Sequence, residues 1–209
     1  MKRCGFVWWR GLLALIFVAL IAAILFPVFV RDGPMPSPRS TCQSNLRQIS
    51  LGMAQYTQDY DEHYPPIILS DVARADTFYG WADALQPYVK STQVLNCPLV
   101  DAVRLANPTQ RGYTDYWYNR NFSGQDARKI DTPSLTLLFG DGNDGHDETT
   151  ARYSLSQLPE TWRNDTKSPA YRHLEGANYA FADGHIKWYK PENVTNAPIS
   201  SGAFTFAVR

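Results

Sequence analysis

The sequence predicts an α+β fold: an N-terminal transmembrane helix, then an amphipathic helix packed on a small antiparallel sheet. Three observations lead there. Residues 11–30 carry no charge and are almost wholly aliphatic or aromatic. Cys42, Leu46, Ile49, Met53, Tyr56 and Tyr60 recur at alternating spacings of four and three, which draws one stripe along an α-helix. Asn178 to Ala182 and His185 to Tyr189 alternate apolar and polar residues on either side of Asp183-Gly184, the composition of a tight hairpin. Helices first and strands afterwards is the order of an α+β domain.

Length and charge bound the function. The chain has 209 residues, enough for one domain and an appendage. Its 20 Lys plus Arg balance 20 Asp plus Glu, so it exerts no general pull on polyanions, and no nucleic acid partner is expected. A mean hydropathy of −0.35 describes an ordinary soluble protein only on average, because the apolar residues are loaded into the first 30 positions.

Taken in order, residues 1–10 form a short cytoplasmic N-terminus. Residues 11–30, at about 1.5 Å each, span about 30 Å, the thickness of a hydrocarbon core. Arg10 and Arg31 bracket the run, and Trp8 and Trp9 sit at headgroup level. The run ends in Leu25-Phe26-Pro27-Val28-Phe29, bulkier than the small-residue site of a cleaved secretory signal, so an anchor is expected. Lys2, Arg3 and Arg10 precede it, against Arg31, Arg39 and the opposing Asp32, which keeps the N-terminus inside and makes the membrane a partner.

Residues 31–39, with three alternating prolines, read as an extended linker. The domain follows over 40–209. Ser40 or Thr41 caps a helix to about Tyr60, and Pro65-Pro66 excludes its continuation. Trp81 to Val89 reads as a helix interrupted at Pro87, Gln93 to Leu95 as an extended approach to Cys97, and Leu135 to Phe139 as a buried strand. In the closing hairpin, Asp183-Gly184 matches a two-residue type I′ turn.

Several clusters carry candidate chemistry. His173, Asp183 and His185 offer imidazole and carboxylate ligands for zinc or a related divalent ion, or else ordinary hydrogen bonds at a turn and strand ends. Asp141-Gly142-Asn143-Asp144-Gly145-His146-Asp147-Glu148 concentrates the oxygen ligands that calcium prefers, without EF-hand spacing, or is a solvated turn. Tyr113, Tyr116, Trp117, Tyr118 and Phe122 either rim a ligand groove or fill a core. Cys42 and Cys97 fall outside the cytoplasm in this layout, as a disulfide or as two buried thiols. No catalytic motif of the hydrolase, P-loop, dinucleotide or zinc-protease kinds occurs, so no enzyme is expected. A metal-dependent enzyme or metal-binding module, and a ligand-binding domain, are the alternatives.

The residues also carry a resemblance. Gly5-Phe6, the apolar run ending Ala22-Ala23-Ile24-Leu25-Phe26-Pro27-Val28-Phe29, Cys42-Gln43-Ser44-Asn45-Leu46-Arg47-Gln48-Ile49, and Tyr56 through Tyr64-Pro65 resemble bacterial prepilin-like proteins of the type II secretion pseudopilin kind. His173 followed by Asp183-Gly184 is similar to the H-x9-DG motif that closes many of them. The resemblance implies a pilin-like α+β domain and a non-enzymatic role through contacts with other pilin-like or secretion-system proteins. It also implies cleavage after Gly5 with methylation at Phe6, and an inner-membrane, single-pass location with a periplasmic or extracellular C-terminal domain. Some pseudopilins hold calcium in a C-terminal loop. Where the family carries a glutamate five residues into the mature chain, this sequence has Arg10.

Overall fold

The computed structural model describes residues 5–29, 37–68, 78–101, 106–197 and 204–208. Most of the expected linker, residues 31–36, lies outside them. Two compact units result, Met1–Met35 and Pro36–Arg209.

The first unit holds helix α1 (Gly5–Phe29), which contains the Gly5–Phe6 junction at its start. It includes the charged Arg10. Among the described residues no helix is long and apolar enough to cross a membrane. The expected transmembrane helix over 11–30 is therefore corrected, and with it the single-pass inner-membrane location.

The second unit begins with α2 (Pro38–Asp59). The helix starts earlier than expected because Pro38 sits in its first turn, where a fixed φ is already helical and a missing N–H costs nothing. Ser37, rather than Ser40 or Thr41, is the cap, and its Oγ accepts from the Ser40 N–H at 3.2 Å. Cys42, Leu46, Ile49, Met53 and Tyr56 are buried as the stripe predicts, while Tyr60 stays exposed and stacks on Tyr56 with centroids 4.1 Å apart. Asp61 and Glu62 then take left-handed φ values of 52° and 63° and turn the chain before the prolines are reached.

The segment does break, but at Leu85 rather than at Pro87: α3 (Trp81–Ala84) and α4 (Gln86–Val89) flank Leu85, and Pro87 sits in the first turn of α4, where its missing N–H costs nothing. Gly52 lets α4 approach α2 closely, since a Cβ there would lie 2.8 Å from Val89 Cγ1. The approach to Cys97 is a 3-10 turn over Thr92–Leu95 instead of an extended segment, because Ser91 caps it by accepting from Gln93 N–H.

Five strands form one sheet: β1 (Tyr116–Asn119), β2 (Leu137–Asp141), β3 (Ser154–Leu155), β4 (Ala177–Phe181) and β5 (Ile186–Tyr189), in the order β3-β1-β2-β4-β5. The pairs β1/β2, β2/β4 and β4/β5 are antiparallel, but β3 joins the free edge of β1 in parallel. The sheet is thus mixed, which corrects the antiparallel expectation. A two-residue strand has too little alternation to be read in advance. A separate parallel pair joins β6 (Val194–Thr195) and β7 (Phe204–Thr205).

Side-chain alternation sends Tyr116 and Tyr118 into one core with α2, and Trp117 into the other with Tyr179 and Phe181. Gly140 makes room for Trp117, because a Cβ there would lie 2.4 Å from the indole. Tyr113 and Phe122 are buried as well, so the aromatic cluster fills the cores and rims no groove. The hairpin forms with Ala177 opposite Tyr189, but its turn is not type I′. Among the turn residues only Gly184 has positive φ, 86°, and Asp183 Oδ1 instead accepts from His185 N–H at 3.1 Å.

Replacing Ile49 by Ala should lower unfolding stability by about 2–5 kcal/mol in urea denaturation, the cost of a core cavity. Leu51→Ala, on the exposed side of the same helix, should change it by no more than about 0.5 kcal/mol.

Candidate metal centre

Four segments far apart in sequence deliver one side chain each to the same buried point. Cys42 comes from the first turns of α2, Cys97 from the loop after the 3-10 turn, Asp141 from the end of β2, and His173 from the loop before β4. Their ligand atoms all lie within 4.8 Å of one another, and all four residues are buried. His173 Nε2 is 3.3 Å from Asp141 Oδ2 and 3.7 Å from Cys97 Sγ.

Each ligand is held by its own backbone setting. Cys97 N–H donates to Asp115 Oδ2 at 2.8 Å, and Asp115 Oδ1 accepts from Asn143 Nδ2 at 2.7 Å. Asp141 is gripped at both ends: its carbonyl accepts from Trp117 Nε1 at 2.9 Å, and its Oδ2 from Asn178 N–H at 2.6 Å. His173 is closed into a tight turn in which Leu174 and Glu175 have φ of 58° and 64°, and its N–H donates to Gly176 O at 2.8 Å. Trp188 Nε1 donates to the His173 carbonyl at 2.6 Å, and Gly176 makes room for that indole. On the helix side, Asn45 Nδ2 donates to Asn96 O at 2.9 Å and Tyr116 Oη at 3.3 Å, tying α2 to the Cys97 loop and to β1.

The electrostatics are those of a proton-sharing cluster. The Cys42 thiol is pushed far up by its hydrogen bond to Cys97 and by burial. The same bond, helped by His173 and opposed by burial, brings Cys97 down to about 6. Burial opposes charge on His173, but hydrogen bonds to Asp141 and Cys97 outweigh it and raise the imidazole to about 9. Asp141 Oδ1 and His173 Nδ1 are buried without a hydrogen-bond partner. A buried carboxylate oxygen without a donor is costly, and a cation nearby removes that cost.

The group can hold a metal ion. A tetrahedral zinc with bonds of about 2.3 Å to sulfur and about 2.0–2.2 Å to nitrogen or oxygen has ligand–ligand edges of about 3.3–3.8 Å. The 3.3 and 3.7 Å separations lie on those edges. Two sulfurs make the set too soft for calcium, which takes oxygen ligands. A Cys–His–Asp catalytic relay does not fit, because Cys97 and Asp141 both approach His173 through Nε2 while Nδ1 has no partner.

Of the sequence-predicted ligands, His173 and Asp141 enter the cluster and Asp183 and His185 do not. Those two pair with each other, His185 Nδ1 lying 2.5 Å from Asp183 Oδ1, and both are partly exposed. Cys42 and Cys97 are free thiols beside one another, not a disulfide. In the acidic loop Asp144 Oδ1 accepts from the N–H groups of His146 and Asp147, and Asp147 Oδ2 accepts from Tyr153 Oη at 2.5 Å. These carboxylates brace their own loop, the ordinary role of such a turn. The sequence signal for the cluster was available in the buried cysteine of the helical stripe, but pairing it with Asp141 requires the sheet. No family model, curated protein or solved structure matches the chain.

His173 keeps its proton up to about pH 9, and Cys42 holds its own beyond the ordinary thiol range, so a cation must displace both. Apparent zinc affinity should therefore rise with pH and fall as the solution is acidified from 9 toward 6. Below about 6 protonation of Cys97 should weaken it further. Competition against a chromogenic chelator at several pH values measures this, and a flat profile would contradict the ligand set.

Proposed function

We propose that the chain is a non-enzymatic protein whose second unit is locked by one structural zinc ion, held by Cys42, Cys97, Asp141 and His173, and that acts through contacts with other proteins. The observation that carries this reading is the convergence of four buried ligand atoms, from four separate segments, within 4.8 Å. Four protein ligands complete a tetrahedron and leave no position for water or substrate, the mark of a structural site. Zinc there ties α2, the Cys97 loop, β2 and the His173 turn together and offsets the buried negative charge.

The pseudopilin resemblance supports the protein-contact part. Its helix motif supplies Cys42 and its closing motif supplies His173, so two motifs distant in sequence serve one site. An amphipathic helix lying over a sheet is also the arrangement it implies. The expected partners are other pilin-like or secretion-system proteins, in secretion or surface assembly.

Elemental analysis of the full chain, purified without chelator, should find about one zinc per chain. Cys42→Ser, Cys97→Ser and His173→Ala should each lose it, while Asp183→Asn and His185→Ala retain it. If free zinc stands a thousandfold above its Kd, binding contributes about 4 kcal/mol. At about 2–4 °C per kcal/mol, chelation should lower Tm by about 8–16 °C. A chain that takes up no zinc, or ligand variants that keep it, would refute the assignment.

A further inference from the structure

A groove of about 730 Å³ runs between α2 and the far end of the sheet, separate from the four metal ligands. Its volume falls among small-molecule sites, which are about 300–1,000 Å³. One wall is the α2 face bearing Arg47, Ser50, Leu51 and Ala54, side chains three and four apart along the helix. Met53, Tyr64 and Leu138 contribute apolar surface, and the turn from Asp183 to His185 forms part of the rim.

The polar groups of the groove are unequally spent. Asp183 is engaged by the His185 ring and backbone N–H, and that ring is fixed by stacking on Phe181, 4.1 Å between centroids and 8° between planes. Thr57 Oγ1 already donates to Ala54 O at 3.0 Å. By contrast, Ser50 is 5% exposed and its hydroxyl has no hydrogen-bond partner. Arg47, one turn away, has no hydrogen bond or ion pair among the described residues. A buried hydroxyl without a partner is expensive, and guanidinium is the side chain best shaped for a carboxylate.

We propose that this groove binds a small apolar carboxylate, its head on Arg47 and Ser50 and its body against Met53, Tyr64 and Leu138. Two unspent donors beside apolar walls, with the acidic side chain of the rim already engaged, select an anionic acceptor on an apolar body. The site is independent of the zinc.

Calorimetric titration of the full chain with 3-phenylpropanoate, and separately with the neutral 3-phenylpropanamide, tests the proposal. The acid should bind saturably at one site per chain, and the amide at least about tenfold more weakly, the worth of a charge-assisted hydrogen bond. Arg47→Gln should weaken the acid by about tenfold and leave the amide unchanged. Ala54→Trp, which fills the groove from the helix side, should abolish binding of both. An unchanged circular dichroism spectrum and a cooperative thermal transition report that each variant is folded. Absence of saturable binding, equal affinity for acid and amide, or binding that survives Ala54→Trp would overturn the proposal.

Discussion

The central constraint on this fold is that three acids and one base, Cys42, Cys97, Asp141 and His173, are buried at one point where helix, loop and sheet meet. Buried charge is tolerated only when paired, and here the pairing is internal: Cys97 is stabilised as a thiolate beside a protonated His173. That balance is incomplete, because Asp141 Oδ1 finds no partner. A divalent cation bound there would supply one and couple the four segments, so the proposed zinc and the local architecture would account for one another.

The surrounding structure positions these groups with little freedom. Trp117 clamps the Asp141 carbonyl from within the sheet, and Gly140 is the residue that lets the indole lie there. Trp188 clamps the His173 carbonyl in the same way, with Gly176 as the clearance. Arg172, next to His173, donates to the carbonyls of Gly142 at 2.5 Å and Asn143 at 2.6 Å, binding the histidine loop to the chain just past Asp141. Asp141 and His173 are thus held in place by backbone contacts. Such preorganisation would favour a tightly held ion over a labile one.

What could be read from the sequence follows the range of the signals. The stripe from Cys42 to Tyr56 and the strands around Asp183-Gly184 depend on local periodicity, and both are present. Ser40 and Thr41 look like caps in the sequence, while Pro38 opens the helix. The parallel edge strand Ser154–Leu155 is too short to leave a pattern, and pairing with β1 creates it. The site was half legible. His173 and Asp141 announce themselves by their chemistry, and Asp183 and His185 lie close to His173 in sequence, but the hairpin turns those two to each other. Cys42 and Cys97 read as a pair in the sequence, but only the fold brings Asp141 and His173 beside them.

Zinc K-edge X-ray absorption on the purified full chain should show one zinc with two sulfur neighbours at about 2.3 Å and two nitrogen or oxygen neighbours at about 2.0–2.2 Å. A spectrum showing only nitrogen and oxygen neighbours, or four sulfurs, would contradict that ligand set.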